Sequence, residues 1–521
     1  MKACTACMAM LVAVSGAAGA DEAATLYEKP GQPRAAGKID ELVFAVLKAK
    51  GIQSARLCSD AVFLRRVYLD VIGTLPTAEE AKAFLDDKSH DKRAKLIDRL
   101  MQREEFADYW ALRWGDVLRV KSEFPINLWP NAVQAYHRWL RTAIEQNMPY
   151  DRFVRELLTS SGSNFRVPQV NFYRATQSNE PAALAKATAL AFMGDRMDSW
   201  PEDRKAGLAV FFSRVGYKRT AEWKEEIVFF DLTTKAAASA VLPNGKVLKL
   251  APDRDPREAF ADWLISPDNP WFARCAVNRV WFWLLGRGII HEPDDFRLDN
   301  PPSHPEVLAL LAKELAAAKY DVRHVMRLIL NSSTYQLSPI PRSKDPAAAA
   351  LFAIYPLRRL DAEVLIDALC QITGTTEEYS SQIPEPFTWV PEEKRTIALA
   401  DGSITSSFLD MFGRPPRDTG MASERSNTPT AAQRLHLLNS SHVRNKIERG
   451  PKLGPLQRMA GRDPQKATTE LYLTILSRYP TADELKTLKA YTDANKGRGG
   501  ANTVTDMVWA LVNSPEFLYR H

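Results

Sequence analysis

The sequence predicts a mainly α fold of two helical domains with a small β-hairpin insertion near residues 225–250. Apolar residues recur at spacings of three and four over most of the chain, as in amphipathic helices. Residues typical of helix caps precede many of these runs. Asn244-Gly245 lies between two short apolar runs, which is typical of a hairpin. Because 521 residues exceed one hydrophobic core, we predict an N-terminal helical domain at 36–235 and a C-terminal one at 252–521.

The first twenty residues have the features of a secretory signal peptide. Met1-Lys2 begins a short apolar segment that ends in Ala18-Gly19-Ala20. Cleavage there would leave Asp21 as the first residue and place the protein in the periplasm or outside the cell. No later stretch of about 18 apolar residues occurs, so no membrane span is expected after cleavage.

The cysteine spacing and the charge pattern make two kinds of partner unexpected: a metal ion and nucleic acid. Cys4 and Cys7 lie in the segment expected to be removed, and Cys58, Cys275 and Cys370 remain. Three cysteines form at most one disulfide, and none has metal-ligand spacing, so no metal site is expected. The formal net charge is +6 without a dense Lys/Arg run, so nucleic acid is not an expected partner.

A repeated phrase marks both ends of the helical pattern. Residues 68–80 read YLDVIGTLPTAEE and residues 472–484 read YLTILSRYPTADE. In the first copy Asp60 is the predicted cap of a helix that ends at Gly73. Thr77 and Glu80 then have capping-box spacing, as do Thr481 and Glu484. The phrase therefore predicts a structural helix–cap–helix module.

The residue pattern changes in the middle of the chain, from helical to strand-like and then to irregular. Residues 226–231 are β-branched or aromatic and predict a strand beside the Asn-Gly hairpin. Helical patterns resume at Asp255 and run through WFARCAVNRVWFWLLGRG, and further helices are predicted over 305–317, 322–330, 361–373, 431–438 and from 465. Between about 375 and 428 lies a stretch rich in Pro, Ser, Thr and Arg. Irregular stretches of this length are often functional.

Signatures of known catalytic chemistry are absent from the sequence, including GxSxG, HExxH, the P-loop and the dinucleotide-binding glycines. Adjacent carboxylates such as Asp294-Asp295 favour a solvated surface over a paired catalytic site. Trp281-Phe282-Trp283 offers rings that stack on sugars, but its helical spacing favours a core position. Both interpretations remain open at this stage.

The candidate binding segment is the end of the long stretch and the helix after it, FGRPPRDTGMASERSNTPTAAQRLHLLNSSHV. Guanidinium groups recognise carboxylate, sulfate or phosphate, and this segment concentrates them. The alternative is that Arg and Glu pair with each other and hold the loop in place. The candidate binding residues are Arg414, Arg417, Glu424, Arg425, Gln433, His436 and Asn439.

Long ordered motifs resemble a known pair of families. FLRRVYLDVIGTLPTAEEAKAFL and MPYDRFVRELLT resemble domain-of-unknown-function family 1549. PREAFADWLISPDNPWFARCAVNRVWFWLLGRGII, DDFRLDNPPSHPEVL, RLILNSSTYQLS, RRLDAEVLIDAL and FGRPPRDT resemble family 1553. Together they are similar to the planctomycete-type secreted proteins, and the likeness covers nearly the whole chain after residue 20.

The resemblance implies an exported protein whose biochemical activity is unassigned. Many members carry a Cys-x-x-Cys-His haem motif in the first domain. The corresponding residues, Phe192 to Trp200, contain no cysteine. No cofactor is therefore expected, covalent haem c included.

Two functions agree with these features. The first is an exported helical protein that binds a protein or polysaccharide partner without catalysis. The second is an enzyme acting on extracellular polysaccharide, with carboxylates and tryptophans assembled from distant segments. An enzyme of this class needs two acids that converge in an aromatic-lined cleft, whereas a binding protein does not.

Overall fold

The computed structural model describes residues 26–494 and 500–521, with side chains from Thr503 onward in the last segment. The signal peptide expected at residues 1–20 lies outside the described residues, so it stays a prediction. The described chain is mainly α-helical with small sheets of two or three strands, as predicted. In the described part of the chain, no helix is long and apolar enough to cross a membrane.

The first half of the chain is a series of short helices that bury one face each. The 3.6-residue repeat places apolar residues on one side, where they enter the core. Pro130 and Pro181 begin their helices at the first turn, where the missing N–H costs nothing. The helices are α1 (Lys38–Ala49), α2 (Asp60–Val71), α3 (Ala78–Asp86), α4 (Lys92–Leu100), α5 (Glu104–Val117), α6 (Pro130–Glu145), α7 (Tyr150–Thr159), α8 (Asn171–Arg174), α9 (Pro181–Met193) and α10 (Glu202–Ala209).

The second half continues the same architecture, and two of its helices end at a glycine in the left-handed conformation. The helices are α11 (Pro256–Leu264), α12 (Phe272–Leu285), α13 (Pro305–Ala317), α14 (Val322–Asn331), α15 (Ala362–Thr373), α16 (Ser407–Met411), α17 (Ala431–Asn439), α18 (Ser441–Arg449), α19 (Leu453–Arg462), α20 (Pro464–Leu476), α21 (Ala482–Ala494), α22 (Gly500–Val512) and α23 (Pro515–Leu518).

The predicted hairpin is present, and a second sheet lies beside it. β4 (Ser239–Val241) pairs antiparallel with β5 (Val247–Lys249) around the Asn244-Gly245 turn, where Gly245 has φ +84°. The predicted strand is β3 (Glu226–Phe230), and it pairs with β2 (Val215–Arg219) and β1 (Gly162–Ser163). The two partners of β3 were not predicted. A third pair joins β6 (Arg358–Arg359) to β7 (Tyr519–Arg520).

Both copies of the repeated phrase form the predicted capping box. The Glu80 backbone N–H donates to Thr77, and the Thr77 backbone N–H donates to Glu80, at 3.2 and 2.9 Å. Thr481 and Glu484 repeat this pair of bonds, in the same order, at 3.2 and 2.8 Å. The predicted cap of α2 was wrong: Ser59 accepts from the backbone of Val62, and the adjacent acid is the first helical residue.

Each capping glutamate is also held by an arginine. Arg103 donates to Glu80 at 2.7 Å and to Glu105 at 2.5 Å. In the second copy, Arg478 donates to Glu484 at 2.8 Å and to Glu516 at 2.6 Å. In both modules an arginine binds the capping glutamate and a second glutamate. The modules also contact each other, since α3 packs against α20. The phrase is therefore a structural device in both places.

The aromatic residues of the helices form much of the core. Trp281 is fully buried, and Trp283 packs edge to face against both Trp110 and Trp114. The Trp281 ring therefore stacks inside the protein and not on a ligand. The long irregular stretch is also well packed, since Ile397, Phe408 and Phe412 are buried. The boundaries of the two predicted domains remain a prediction, because the buried apolar residues form one continuous cluster.

Candidate functional site

A cavity of about 510 Å³ lies where the N-terminal and C-terminal regions meet. Its walls come from the end of α5, from α12 and the residues after it, from β6 and the start of α15, and from the loop 415–429. Tyr519 of β7 completes the wall. The volume is in the range of small-ligand pockets. The charged residues that line the cavity are Arg113, Asp116, Arg279, Arg358, Arg359, Asp361 and Arg425.

Asp361, at the start of α15, is the centre of a buried ion-pair network. Arg113 donates to its Oδ2, and Arg520 donates to the same oxygen at 2.7 Å. Arg520 also donates to Asp70 at 3.0 Å, and Arg358 donates to Asp70 at 3.2 Å. The strand pair β6–β7 places Arg358 opposite Arg520, so both guanidinium groups reach Asp70. Residues far apart in the chain thus share one charge network beneath the cavity.

The loop closes the other side of this network. Arg425 donates to Glu363 at 2.7 Å and to Asp116 at 2.7 Å. Arg417 donates to the other oxygen of Asp116 at 2.9 Å. Asn427 donates to Asp361 at 2.7 Å. The loop is therefore fixed to both α5 and α15 by charge-assisted hydrogen bonds, which are the stronger kind.

Arg417 is held in a narrow slot that depends on glycine. A Cβ on Gly402 would lie 2.7 Å from the Arg417 Cδ, and one on Gly115 would lie 3.1 Å from its guanidinium carbon. Arg417 also donates to the carbonyl oxygens of Val120 and Ala400. Its side chain is 1% exposed, so it serves inside the protein and not at the surface.

The other predicted binding residues take several positions. Arg414 is buried and donates to the carbonyl oxygens of Asp401 and Ile404. Glu424 accepts from the backbone N–H of Thr419 at 2.6 Å, and its ion pair with the loop arginines, the alternative suggested by the sequence, does not form. The loop arginines pair instead with acids of α5 and α15. The alternative therefore predicted correctly that ion pairs hold the loop in place, but it named the wrong acid as the partner of the arginines.

Gln433, His436 and Asn439 lie on α17, away from the cavity walls. Gln433 forms a capping box with Thr430 and donates to the Met411 carbonyl at 2.9 Å. His436 packs against Phe408 and Phe412, and burial lowers its pKa. Of the seven residues proposed from the sequence, the structure brings Arg425 alone to the cavity wall. No comparison tests their role in binding, which stays a prediction.

The carboxyl groups of the cavity are held ionised. Burial opposes the charge on Asp361, but Arg113, Arg520 and Arg425 outweigh it and keep its pKa well below the usual range. Burial likewise opposes the charge on Asp116, and Arg425 and Arg417 lower its pKa. Neither group holds a proton at neutral pH, so neither serves as a general acid there. The arrangement is suited to binding and not to acid catalysis by this pair.

Positive charge exceeds negative charge around the cavity. Arg359 lines it and donates to the carbonyl oxygens of Phe412 and Ser426, with no carboxylate of its own. The Nε atoms of Arg113, Arg358 and Arg359 have no hydrogen-bond partner in the described protein. Five arginines therefore line the cavity against two aspartates: Arg113, Arg279, Arg358, Arg359 and Arg425 against Asp116 and Asp361.

Polar groups without partners also line the cavity. The Nδ1 atom of His291 and the Oδ1 atom of Asn427 are buried, with no hydrogen-bond partner in the described residues. Burial lowers the pKa of His291, so its ring is neutral near pH 7. Buried polar atoms usually have partners. Both atoms are closed to solvent, so they are exceptions to this rule inside the cavity wall.

Most cavity residues were not indicated by the sequence. Arg113 and Asp116 lie in a helix whose pattern predicts only packing, and Arg520 lies about 400 residues further along. The motif Arg358-Arg359-Leu360-Asp361-Ala362-Glu363 was noted for its resemblance, without a role. Four of its six residues are charged, and this concentration of charge is the one sequence feature that could have indicated the site. Among the described residues, no group of three His, Cys, Asp or Glu is placed to hold a metal ion. The expected absence of a cofactor stays a prediction.

The fold and site define a mainly α protein with an arginine-rich cavity between two helical regions. Comparison with known families identifies both regions. Residues 38–202 match the model described as PSCyt2, protein of unknown function (DUF1549), and residues 256–492 match PSD1, protein of unknown function (DUF1553). The chain therefore belongs to the proteins that carry a DUF1549 domain followed by a DUF1553 domain. No curated protein and no solved structure matches it.

Proposed function

We propose that the chain is an exported helical protein that binds acidic groups of a polysaccharide in the arginine-lined cavity. The observation that carries the proposal is the surplus of guanidinium groups over carboxylates around a cavity of about 510 Å³. A bound carboxylate or sulfate would supply the missing negative charge and would accept charge-assisted hydrogen bonds from the guanidinium groups. Export is supported by the sequence features of residues 1–20.

The shape and lining of the cavity favour a sugar over a protein surface. A concave site of this volume takes one or a few sugar units, whereas stable protein interfaces are broad and much flatter. Phe282 is partly exposed, lines the wall and offers an apolar ring face. This combination of an apolar ring face and guanidinium groups fits an acidic sugar.

The enzyme alternative has weaker support. Hydrolysis of a glycosidic bond by paired acids requires one carboxyl group that keeps its proton. Asp116 and Asp361 are the carboxylic acids that line the cavity, and their arginine partners hold both pKa values low. We therefore favour binding without catalysis.

The proposal is tested by thermal shift with matched ligands. The chain from Asp21 is melted with increasing dextran sulfate and with uncharged dextran, which differ only in the anionic groups. A saturable rise of the melting temperature with dextran sulfate alone supports binding of an acidic polysaccharide by the folded state. No rise with either polymer, or equal rises with both, contradicts it.

A pair of variants separates the cavity from general attraction to a basic protein. Leu357 lines the cavity and is 59% exposed, so Leu357→Glu adds a negative charge at the mouth with little effect on the core. Leu298 is fully exposed and does not line the cavity, so Leu298→Glu makes the same change in net charge elsewhere. Binding in the cavity predicts that Leu357→Glu alone reduces the shift. Equal reductions would show that only net charge matters.

A further inference from the structure

Large aromatic side chains are exposed together at one place on the surface. Trp129 contacts Trp223 and Phe387, with ring centroids 6.4 and 5.4 Å apart. Trp223 is 67% exposed and Phe387 is 49% exposed. We call these three residues the aromatic corner. Among the described residues, the exposed large aromatic side chains are Phe124, Trp223, Phe387, Trp389 and Tyr479, and the first four lie on the segments that form the corner.

Each segment of the corner is fixed by its own hydrogen bonds. At the tip of the β2–β3 hairpin, Thr220 donates to Glu225 at 2.7 Å, and Ser163 donates to the same carboxylate. In the turn that carries Phe387, Thr388 donates to the Ile383 carbonyl at 2.7 Å. Each segment is therefore held by polar contacts of its own, in addition to the contacts between the rings.

Hydrogen bonds also tie the segments to one another. Glu123 accepts from the Ser381 hydroxyl at 2.7 Å and from the Gln382 backbone at 2.8 Å. Arg174 donates to Glu226 at 2.9 Å beside the tip of the hairpin. The corner is thus preorganised, which lowers the entropic cost of binding.

The composition of the corner favours sugar rings over a helix of a partner protein. Grooves that take helices are lined by aliphatic side chains and Met, whereas the exposed apolar groups here are flat aromatic rings. Such rings offer a π-face to the C–H groups on one face of a pyranose ring, while polar groups at their edges contact hydroxyls. The exposed Gln382 side chain supplies a polar group of this kind on the segment that carries Phe387.

The charge beside the corner fits an acidic chain. The Lys224 ammonium lies 5.5 Å from the ring centroids of both Trp129 and Trp223. On the hairpin, Lys218, Arg219 and Lys224 are exposed basic residues, against Glu222 as the exposed acid. Glu385 is exposed on the facing segment, so the surplus positive charge lies on the hairpin side.

We infer that the aromatic corner is a second contact for the same acidic polysaccharide, stacking its sugar rings outside the cavity. This inference rests on the proposed function, since it names a further site for that ligand. Continuity along the chain supports it: Val117 lines the cavity, and the segment that follows leads directly to Trp129. A long polymer held at both places binds more tightly than at either alone.

The inference is tested by native gels that contain alginate, an acidic polysaccharide, or uncharged dextran. We expect the chain from Asp21 to be retarded by alginate, and the double variant Trp223→Ala/Phe387→Ala to bind about tenfold more weakly. Leu298→Ala, which removes an exposed apolar side chain elsewhere, is the matched control and should bind like the native chain. An unchanged melting temperature without ligand shows that the double variant is folded.

Each outcome separates the corner from the cavity. Weaker binding in the double variant but not in Leu357→Glu supports the corner and contradicts the cavity. Weaker binding in Leu357→Glu alone contradicts the corner and leaves the proposed function in place. Weaker binding in both variants supports both sites. Two results would overturn the corner as a polysaccharide site. One is that alginate does not retard the native chain, and the other is that the chain is retarded in gels that contain polyglutamate instead of alginate.

Discussion

Arg425 of the loop donates to Asp116 of α5 at 2.7 Å, and this bond joins the DUF1553 region to the DUF1549 region at the cavity wall. Arg425 also donates to Glu363 with both terminal nitrogen atoms, at 2.7 and 3.0 Å. Burial opposes its charge, but Glu363 and Asp116 together raise its pKa well above the usual range. One guanidinium group therefore fixes the loop and orders the cavity wall.

Replacement of Arg425 tests this role in stability. Arg425→Met leaves Glu363 and Asp116 buried with one partner fewer, so we expect a loss of about 3–5 kcal/mol in the free energy of unfolding. The matched control is Arg444→Met: Arg444 is 71% exposed and pairs with Glu448 within one helix. That exposed pair contributes less than about 0.5 kcal/mol. Urea unfolding of both variants makes the comparison, and equal losses would contradict the structural role of the Arg425 pairs.

The two capping boxes are expected to contribute equally. Thr77→Ala and Thr481→Ala each remove a side-chain oxygen that accepts a backbone N–H at 3.2 Å. Loss of such a cap costs about 1 kcal/mol. Thr→Ser at the same positions keeps the bond and should restore most of the stability. If the serine variants are as unstable as the alanine variants, the cap is not the cause.

Three buried histidines predict a loss of stability in mild acid. Burial lowers the pKa of His137 to about 3, and the nearby cations Arg417, Lys394 and Arg141 add to the effect. Burial also lowers the pKa of His304 and His521 to about 4. These rings stay neutral in the folded chain but are protonated in the unfolded chain below about pH 6.5. The unfolded state then binds more protons, so stability falls as the pH drops from about 6.5 towards 4.

The size of this effect can be assigned to one residue. Between pH 7 and pH 5, a single such histidine costs about 2 kcal/mol. His137→Leu removes one of the three and should reduce the pH dependence by about that amount. Urea midpoints of the native chain and the variant at pH 7 and pH 5 measure it. The same pH dependence in both would mean that His137 is protonated in the folded state.

The cysteines are expected to be free thiols of unequal reactivity. Cys58 and Cys275 are buried, Cys370 is partly exposed, and none of the three forms a disulfide in the structure. Burial raises the pKa of Cys275 to about 11, which lowers its reactivity further. A thiol reagent should modify Cys370 first in the native chain from Asp21 and all three residues in urea. Fewer than three reactive thiols in urea would reveal a disulfide.

The helices and their caps could be predicted because their causes are local. Thr77 and Glu80 lie three residues apart, and the same spacing at Thr481 and Glu484 gives the same bonds. The hairpin at Asn244-Gly245 was predicted for the same reason. The cap of α2 was assigned one residue too late, because Ser59 and the acid after it are both good caps. Local chemistry alone does not choose between such neighbours.

The cavity could not be predicted, because its residues meet only through the fold. Asp361 binds Arg113, 248 residues away, and Arg520, 159 residues away. Single-sequence patterns carry no information about such pairs. The loop was recognised by its arginines, but its partners Asp116 and Glu363 lie on helices that read as ordinary packing elements. The sequence therefore indicated one wall of the site and not the other walls.

The central claim is that the cavity binds an acidic sugar through its surplus guanidinium groups. Titration calorimetry with a short oligogalacturonate and with its methyl ester tests it most directly, since the two ligands share the same rings and differ in charge. We predict saturable binding of the acid, with binding of the ester at least about tenfold weaker. Leu357→Glu should weaken binding of the acid, and Leu298→Glu should not. Equal affinity for acid and ester, or equal effects of the two variants, would contradict the claim.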